Sequence, residues 1–197
     1  MPKLASLLET KVFVSGATFL TLMYKRDVQC FSFLAGAISN ALLSKILKRL
    51  INSSRPKGAQ LSDPGMPSSH AQSLFFFAGY LTSGAVLWPE LPLSLPTTPM
   101  VRCLAAGAIN MLAGALTLLR VQSGLHTLAQ VSVGACIGAI NGTVMLLASP
   151  MVEQRLTALV SGQGAAASST MIVGLLGVGA LVVGSVERVI SLRLKKR

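Results

Sequence analysis

Two histidines and four cations stand in three short polar stretches of an otherwise apolar chain. The first stretch is Lys48-Arg49-Leu50-Ile51-Asn52-Ser53-Ser54-Arg55-Pro56. The second is Pro67-Ser68-Ser69-His70. The third is Arg120-Val121-Gln122-Ser123-Gly124-Leu125-His126-Thr127-Leu128-Ala129-Gln130. Arginine suits a tetrahedral oxyanion because its planar fork donates two parallel hydrogen bonds. Lys48, Arg55 and Arg120 therefore form a candidate phosphate clamp. Pro67 fits the start of a helix, and Ser68 or Ser69 can cap or line that start. The free backbone N–H groups there, with the helix dipole, add to the attraction for an anion.

The histidines supply the reactive groups. His126 opens a helix, and Gln130 follows four residues later, about 6 Å along the axis and on the same face. A partner in that place sets which imidazole nitrogen carries the proton, which a nucleophilic histidine requires. Gly124 lets the approach to His126 bend. Two histidines among three cations suit phosphoryl transfer through a covalent phosphohistidine. His126 attacks phosphorus; His70 protonates the leaving oxygen and then activates water. The cations stabilise the charge on the equatorial oxygens. The sequence has no carboxylate cluster suited to magnesium, so a metal-independent reaction without cofactor is expected.

These residues must be brought together by helices. Spans of about 20 mostly apolar residues cross a bilayer. Five candidates read as roughly Val28–Ile46, Ala71–Trp88, Val101–Leu119, Thr127–Ser149 and Ala167–Val186, with a sixth and weaker one at Val12–Tyr24. No alternating barrel pattern is present, so an all-α polytopic membrane bundle of about six transmembrane helices is predicted, forming one domain over residues 1–197. The first two clusters flank one loop, and two helices separate the second from the third. An even number of crossings returns the chain to the same membrane face, so all three clusters can meet there.

Composition agrees. The chain is 52% hydrophobic and only 12% charged, with a mean hydropathy of +0.66. A soluble domain carries about twice that charge. The net charge of +11 sits in short clusters between apolar runs, which fits loops and headgroup contacts and argues against nucleic acid as a partner. On the six-helix layout, the clustered face and both termini hold 13 of the 17 basic residues. The positive-inside rule then places the site on the cytoplasmic or stromal side.

Other features read as structural. Prolines 89, 92, 96 and 99 mark an extended linker, and Pro150 to Gly164 reads as a polar loop. Gly134, Gly138 and Gly142 are four apart and predict close helix packing. Phe75-Phe76-Phe77 reads as lipid-facing bulk. Cys30, Cys103 and Cys136 lie singly in apolar runs and read as packing residues. The N-terminal MPKLASLLETKVFV lacks a signal-peptide cleavage pattern.

The three clusters resemble the signature of the type 2 phosphatidic acid phosphatase superfamily: Lys-x6-Arg-Pro, Pro-Ser-Gly-His and Ser-Arg-x5-His-x3-Asp. This chain has Lys48-x6-Arg55-Pro56, Pro67-Ser68-Ser69-His70 and Leu119-Arg120-x5-His126-x3-Gln130. The motifs span residues 48–130. The resemblance implies His126 as nucleophile, His70 as general acid, and Lys48, Arg55, Ser68, Ser69 and Arg120 as phosphate ligands. Three positions depart from it: Ser69 replaces glycine, Leu119 serine, and Gln130 aspartate. A neutral amide can orient an imidazole but does not stabilise its cation as a carboxylate does. SDPGMPSSHAQS and the run LRV are most similar to the plastid epsilon-type lipid phosphate phosphatases, and glutamine also stands at this place in dolichyl-diphosphatases. The resemblance implies an integral membrane phosphatase of the plastid envelope or endoplasmic reticulum, acting on a lipid phosphate in the bilayer. Phosphatidate is the expected substrate; a polyprenyl or dolichyl diphosphate is the alternative. A non-catalytic lipid-phosphate binder, disarmed at Gln130, is the rival from another class.

Overall fold

The computed structural model describes residues 28–59, 63–87 and 98–160. The expected spans Val12–Tyr24 and Ala167–Val186, and most of the proline linker, lie outside the described residues. The described residues form four helices and no strand: α1 (Val28–Ile51), α2 (Ser69–Leu87), α3 (Pro99–Gln122) and α4 (Leu128–Val160). The chain divides into two units, Ala35–Pro150 and Met1–Leu34 with Met151–Arg197. Every residue of the site falls in the first unit.

Among the described residues, two helices are long and apolar enough to cross a membrane, Pro99–Gln122 and Leu128–Met151, with mean hydropathies of 1.6 and 1.8. Their large aliphatic side chains face outward: Leu104, Met111, Leu112, Ile140 and Leu147 are all more than half exposed. A water-soluble bundle would bury such residues, whereas in a bilayer their exposure costs nothing. The arrangement is consistent with an integral membrane protein.

Glycines bring α2 and α4 into backbone contact. A Cβ on Gly134 would lie 2.6 Å from the Ser68 carbonyl oxygen, and one on Gly138 or Gly142 would overlap the carbonyl oxygens of Gln72 and Phe76. From the other side, a Cβ on Gly79 would lie 2.6 Å from the Ala139 carbonyl. The glycine stripe thus packs as its spacing predicts. Its register has a further consequence. Residues 68, 72 and 76 meet 134, 138 and 142 in rising order, so α2 and α4 run in the same direction and begin at the same end.

Helix α1 runs the opposite way. Ser44 donates to Ser69 Oγ at 2.8 Å, Gln72 Nε2 donates to Asn40 Oδ1 at 3.0 Å, and a Cβ on Gly36 would lie 3.0 Å from Phe76. Its last turn therefore meets the first turn of α2. Asn40 also accepts from Asn141 Nδ2 of α4 at 3.1 Å, which ties three helices through one buried amide. Helix α3 packs along α2, with Asn110 Nδ2 donating to Thr82 Oγ1 at 2.7 Å. It returns the chain to the end where α2 and α4 begin.

Three local expectations are corrected. Phe76 is fully buried, against Gly36, and only its neighbour Phe77 is exposed among the described rings at that end. Cys103 and Cys136 are free and exposed on their helices, not packed inside. Helix α4 does not end at Pro150 but continues to Val160. Pro150 has no N–H for the Leu146 carbonyl, and the Ser149 hydroxyl donates to that oxygen at 2.8 Å. The freed acceptor is thereby satisfied and the helix goes on.

Candidate active site

The end shared by the C-termini of α1 and α3 and the N-termini of α2 and α4 gathers the three polar clusters. Helix α1 closes with Lys48 and Arg49 in its last turn. Asn52 then takes a left-handed conformation (φ 44°) while its N–H bonds the Lys48 carbonyl at 3.0 Å, a common way to end a helix. The loop that follows carries Arg55 inward.

Arg55 is the hub. Its Nη1 lies 3.0 Å from His126 Nε2 and donates to the Leu125 carbonyl at 2.9 Å. Its Nε donates to the Asp63 carbonyl at 2.9 Å, and its Nη2 pairs with Asp63 Oδ1 at 2.8 Å. The other Asp63 oxygen pairs with Lys48 Nζ at 2.6 Å. One carboxylate thus joins two of the predicted phosphate ligands. Burial alone would raise the Asp63 pKa, but the Lys48 hydrogen bond and the charges of Lys48 and Arg55 outweigh it and hold the carboxyl below its ordinary value.

His126 is buried, and both ring nitrogens are engaged. Nδ1 lies 3.0 Å from the Gly65 carbonyl oxygen and 3.2 Å from Gln130 Oε1. Two acceptors at one nitrogen require that nitrogen to carry the proton. The lone pair then sits on Nε2, toward Arg55. Burial pushes the His126 pKa below its ordinary value, and the charge of Arg55 adds to that, against the opposing pull of Gln130 and the Gly65 carbonyl. Both effects favour the neutral ring, whose Nε2 lone pair faces the Arg55 guanidinium.

Gln130 reaches His126 by a route that differs from the one expected. His126 precedes the helix, which starts at Leu128, so the contact is not between two residues one helical turn apart. Thr127 and Gln130 instead form a capping box. Thr127 Oγ1 accepts from the Gln130 N–H at 3.3 Å, and Gln130 Oε1 accepts from the Thr127 N–H at 3.2 Å. The amide nitrogen of Gln130 donates to the Ser54 carbonyl at 2.7 Å. That bond assigns the amide orientation and leaves Oε1 for His126. A carboxylate here would have no N–H to give to the Ser54 carbonyl. Gly65 is needed here too: a Cβ would stand 2.5 Å from Gln130 Nε2.

The turn before His126 is closed by Arg120, whose carbonyl accepts the N–H groups of Leu125 (3.1 Å) and His126 (3.3 Å). Gly124 has φ 66° there, the left-handed bend that its glycine predicts. The Arg120 Nε is buried with no hydrogen-bond partner among the described residues. Its charge acts on both His70 and Arg55, so a buried donor without an acceptor lies within electrostatic reach of the histidine of α2 and of the hub.

The second cluster caps α2. Ser68 is fully buried; its hydroxyl lies 3.5 Å from the Ala71 N–H, and its own N–H donates to the Gln130 carbonyl at 3.0 Å. Ser69 faces Ser44. His70, in the first helical turn, is exposed. The structure thus brings Lys48, Arg55, His126 and Gln130 into one bonded network, seats Ser68 on its backbone, ties Arg120 to His126 through the Arg120 carbonyl alone, and sets the Arg120 and His70 side chains beside it without hydrogen bonds to it. Asp63, Thr127 and the carbonyls of Ser54, Gly65 and Leu125 were not foreseen. The Thr-x-x-Gln spacing before an apolar run would have given Thr127 away.

No family model matches the chain, and no solved structure matches it. Curated proteins do. Lipid phosphate phosphatase epsilon 2, chloroplastic, of Arabidopsis thaliana is 37% identical over 123 residues, 62% of this chain and 41% of that protein. Dolichyldiphosphatase 1 of Dictyostelium discoideum is 29% identical over 126 residues, 62% of this chain and 53% of its own length. Dolichyldiphosphatase 1 of Homo sapiens is 36% identical over 81 residues, 39% of this chain and 34% of that protein. The chain spans about two fifths of the length of the epsilon-type relatives it matches. These matches agree with the resemblance carried by the three polar clusters: the chain is similar to curated lipid phosphate phosphatases and dolichyldiphosphatases.

Proposed function

We propose that this chain is a membrane lipid phosphate phosphatase that hydrolyses phosphatidate to diacylglycerol and phosphate through a phosphohistidine. The observation that carries this is the double acceptor at His126 Nδ1, which puts the lone pair on Nε2 beside a guanidinium. A guanidinium there holds a phosphate oxygen while Nε2 faces phosphorus. In the first step Nε2 attacks phosphorus, the ester P–O bond breaks, and His70 gives its proton to the departing alkoxide. In the second, His70 takes a proton from water, the oxygen attacks phosphorus, and the P–N bond breaks to release phosphate. Lys48, Arg55 and Arg120 hold the non-bridging oxygens through both steps, with Ser68 and Ser69 lining the start of α2. No step calls for a metal.

The dolichyldiphosphatase relatives favour a second substrate, a polyprenyl or dolichyl diphosphate, handled by the same residues. Charge asymmetry supports a cytoplasmic or stromal site, and hence the monoester, in a plastid envelope or endoplasmic reticulum membrane. The test is phosphate release by the purified chain in detergent micelles with EDTA, offering phosphatidate and a polyprenyl diphosphate side by side. Release that depends on His126 is expected, faster from phosphatidate. Faster release from the diphosphate selects the second substrate. No release from either, by folded protein, leaves a lipid-phosphate binder.

A further inference from the structure

The anion that Lys48 and Arg55 hold in this structure is a side chain of the chain itself. Asp63 places one carboxylate oxygen on each cation, at 2.6 Å from Lys48 Nζ and 2.8 Å from Arg55 Nη2. A carboxylate and one edge of a phosphate present the same thing to a cation pair: two anionic oxygens a little over 2 Å apart, each accepting a charged hydrogen bond. We infer that Asp63 is an internal competitor for the phosphate site, exchanged for two oxygens of the incoming phosphate group when substrate binds.

The three side chains differ in a way that suits exchange. Arg55 and Lys48 are 6% and 13% exposed, whereas Asp63 is 45% exposed. Arg55 is held in place by more than Asp63, because Nη1 also bonds the Leu125 carbonyl. Arg55 therefore keeps an anchor of its own, Lys48 is nearly buried, and the carboxylate is the partner with a path to water, where its hydration replaces the lost ion pairs at small cost. Arg120 completes the picture. Its Nε has no partner among the described residues, so a phosphate meets one cation that holds no anion and two that do. Asp63 reduces the formal charge of Lys48, Arg55 and Arg120 by one unit and sets how tightly phosphate, as substrate headgroup or as product, is retained. A site that holds product too tightly turns over slowly, and a built-in competitor keeps binding reversible.

This inference rests on the phosphate site proposed above. Its test reads binding apart from catalysis. The purified chain in detergent, as wild type, Asp63→Asn, Asp63→Ala and Arg55→Ala, is dialysed against radiolabelled inorganic phosphate, with thermal melting to verify folding. Both Asp63 variants are expected to bind phosphate about fivefold to tenfold more tightly than wild type, a difference of about 1–1.4 kcal/mol, and Arg55→Ala to lose binding. In the hydrolysis assay the same two variants show product inhibition at correspondingly lower phosphate. Equal or weaker binding by both Asp63 variants overturns the inference and makes Asp63 a residue that positions Lys48 and Arg55. Undetectable binding in wild type and both variants overturns it as well. Tighter binding in the variants, with no lipid hydrolysis by any protein, sustains the competitor and removes the phosphatase function instead.

Discussion

Helices α2 and α4 start at the same end of the bundle, and each start pairs a capping hydroxyl with a histidine. The two histidines stand on opposite sides of their caps. His126 precedes Thr127, outside the helix, where the chain still turns; its ring is 3% exposed and its Nδ1 meets two carbonyl oxygens. His70 follows Ser68, inside the first turn, and its side chain points away from the axis and is exposed. A residue before the cap can be wrapped by the loop that delivers it, whereas one after the cap is bound to the helix surface. The first position suits a nucleophile whose tautomer must be held. The second suits a group that exchanges protons with solvent and a leaving alcohol.

Replacing each histidine is the strongest way to break this comparison. His126→Ala is expected to lower phosphatidate turnover by at least about 10⁴-fold, since the attacking atom is gone. His70→Ala is expected to cost about 10²- to 10⁴-fold, the usual worth of general acid–base help. The two should separate further on p-nitrophenyl phosphate, whose leaving group needs no proton. There His70→Ala should give a burst of nitrophenol followed by slow turnover, and His126→Ala no burst. Equal losses on both substrates, measured by stopped flow, would mean that the histidines do not divide the work in this way.

Gln130 sharpens the comparison, because its side chain bonds the α4 start and meets the α2 start only through its backbone carbonyl. Gln130→Glu keeps an oxygen for Thr127 and for His126 Nδ1 but adds a charge that stabilises the imidazolium. The His126 pKa, held low by burial first and by Arg55 second, should rise. The acid limb of the kcat/KM–pH profile reports loss of the neutral ring, so it should move to higher pH, by about one unit. Activity at the alkaline plateau should fall less than tenfold (roughly 1.4 kcal/mol), through lost bonding to the Ser54 carbonyl. An unmoved limb would show that Gln130 does not govern His126.

The smallest effect expected is on the cap. Thr127→Ala removes one side of the capping box and should cost about 1 kcal/mol of stability, read as a lower melting temperature. Ser68→Ala should cost a similar amount at the α2 start. A loss of activity from Thr127→Ala far beyond its loss of stability would show that the box also aims His126.

Much of this site was legible because its side chains are rare types at fixed spacings. Lys48, Arg55, His126 and Gln130 stand out in a chain with two histidines and 12% charge, and an even count of crossings correctly brought their ends together. The glycine stripe was legible for the same reason: only glycine admits the Ser68 and Gln72 carbonyls so closely. What stayed hidden is of another kind. The groups that set the His126 tautomer include the Gly65 carbonyl, and every residue has a carbonyl, so nothing in the sequence marks that one. Asp63 carries no helical or motif spacing to Lys48 or Arg55, and only the path of the loop brings it to both. The continuation of α4 past Pro150 depends on a hydroxyl one residue earlier taking the freed Leu146 carbonyl, a local compensation that composition does not reveal.

The most direct measurement is to trap the intermediate. The purified chain is mixed with phosphatidate labelled with ³²P in its phosphate group, quenched in alkali within milliseconds, and digested for peptide mapping. Label that resists alkali, is lost in acid and maps to the peptide containing His126 is expected, absent in His126→Ala. Hydrolysis at the normal rate with no label on His126, at any quench time, would contradict a phosphohistidine and with it the assignment of Nε2 as the attacking atom.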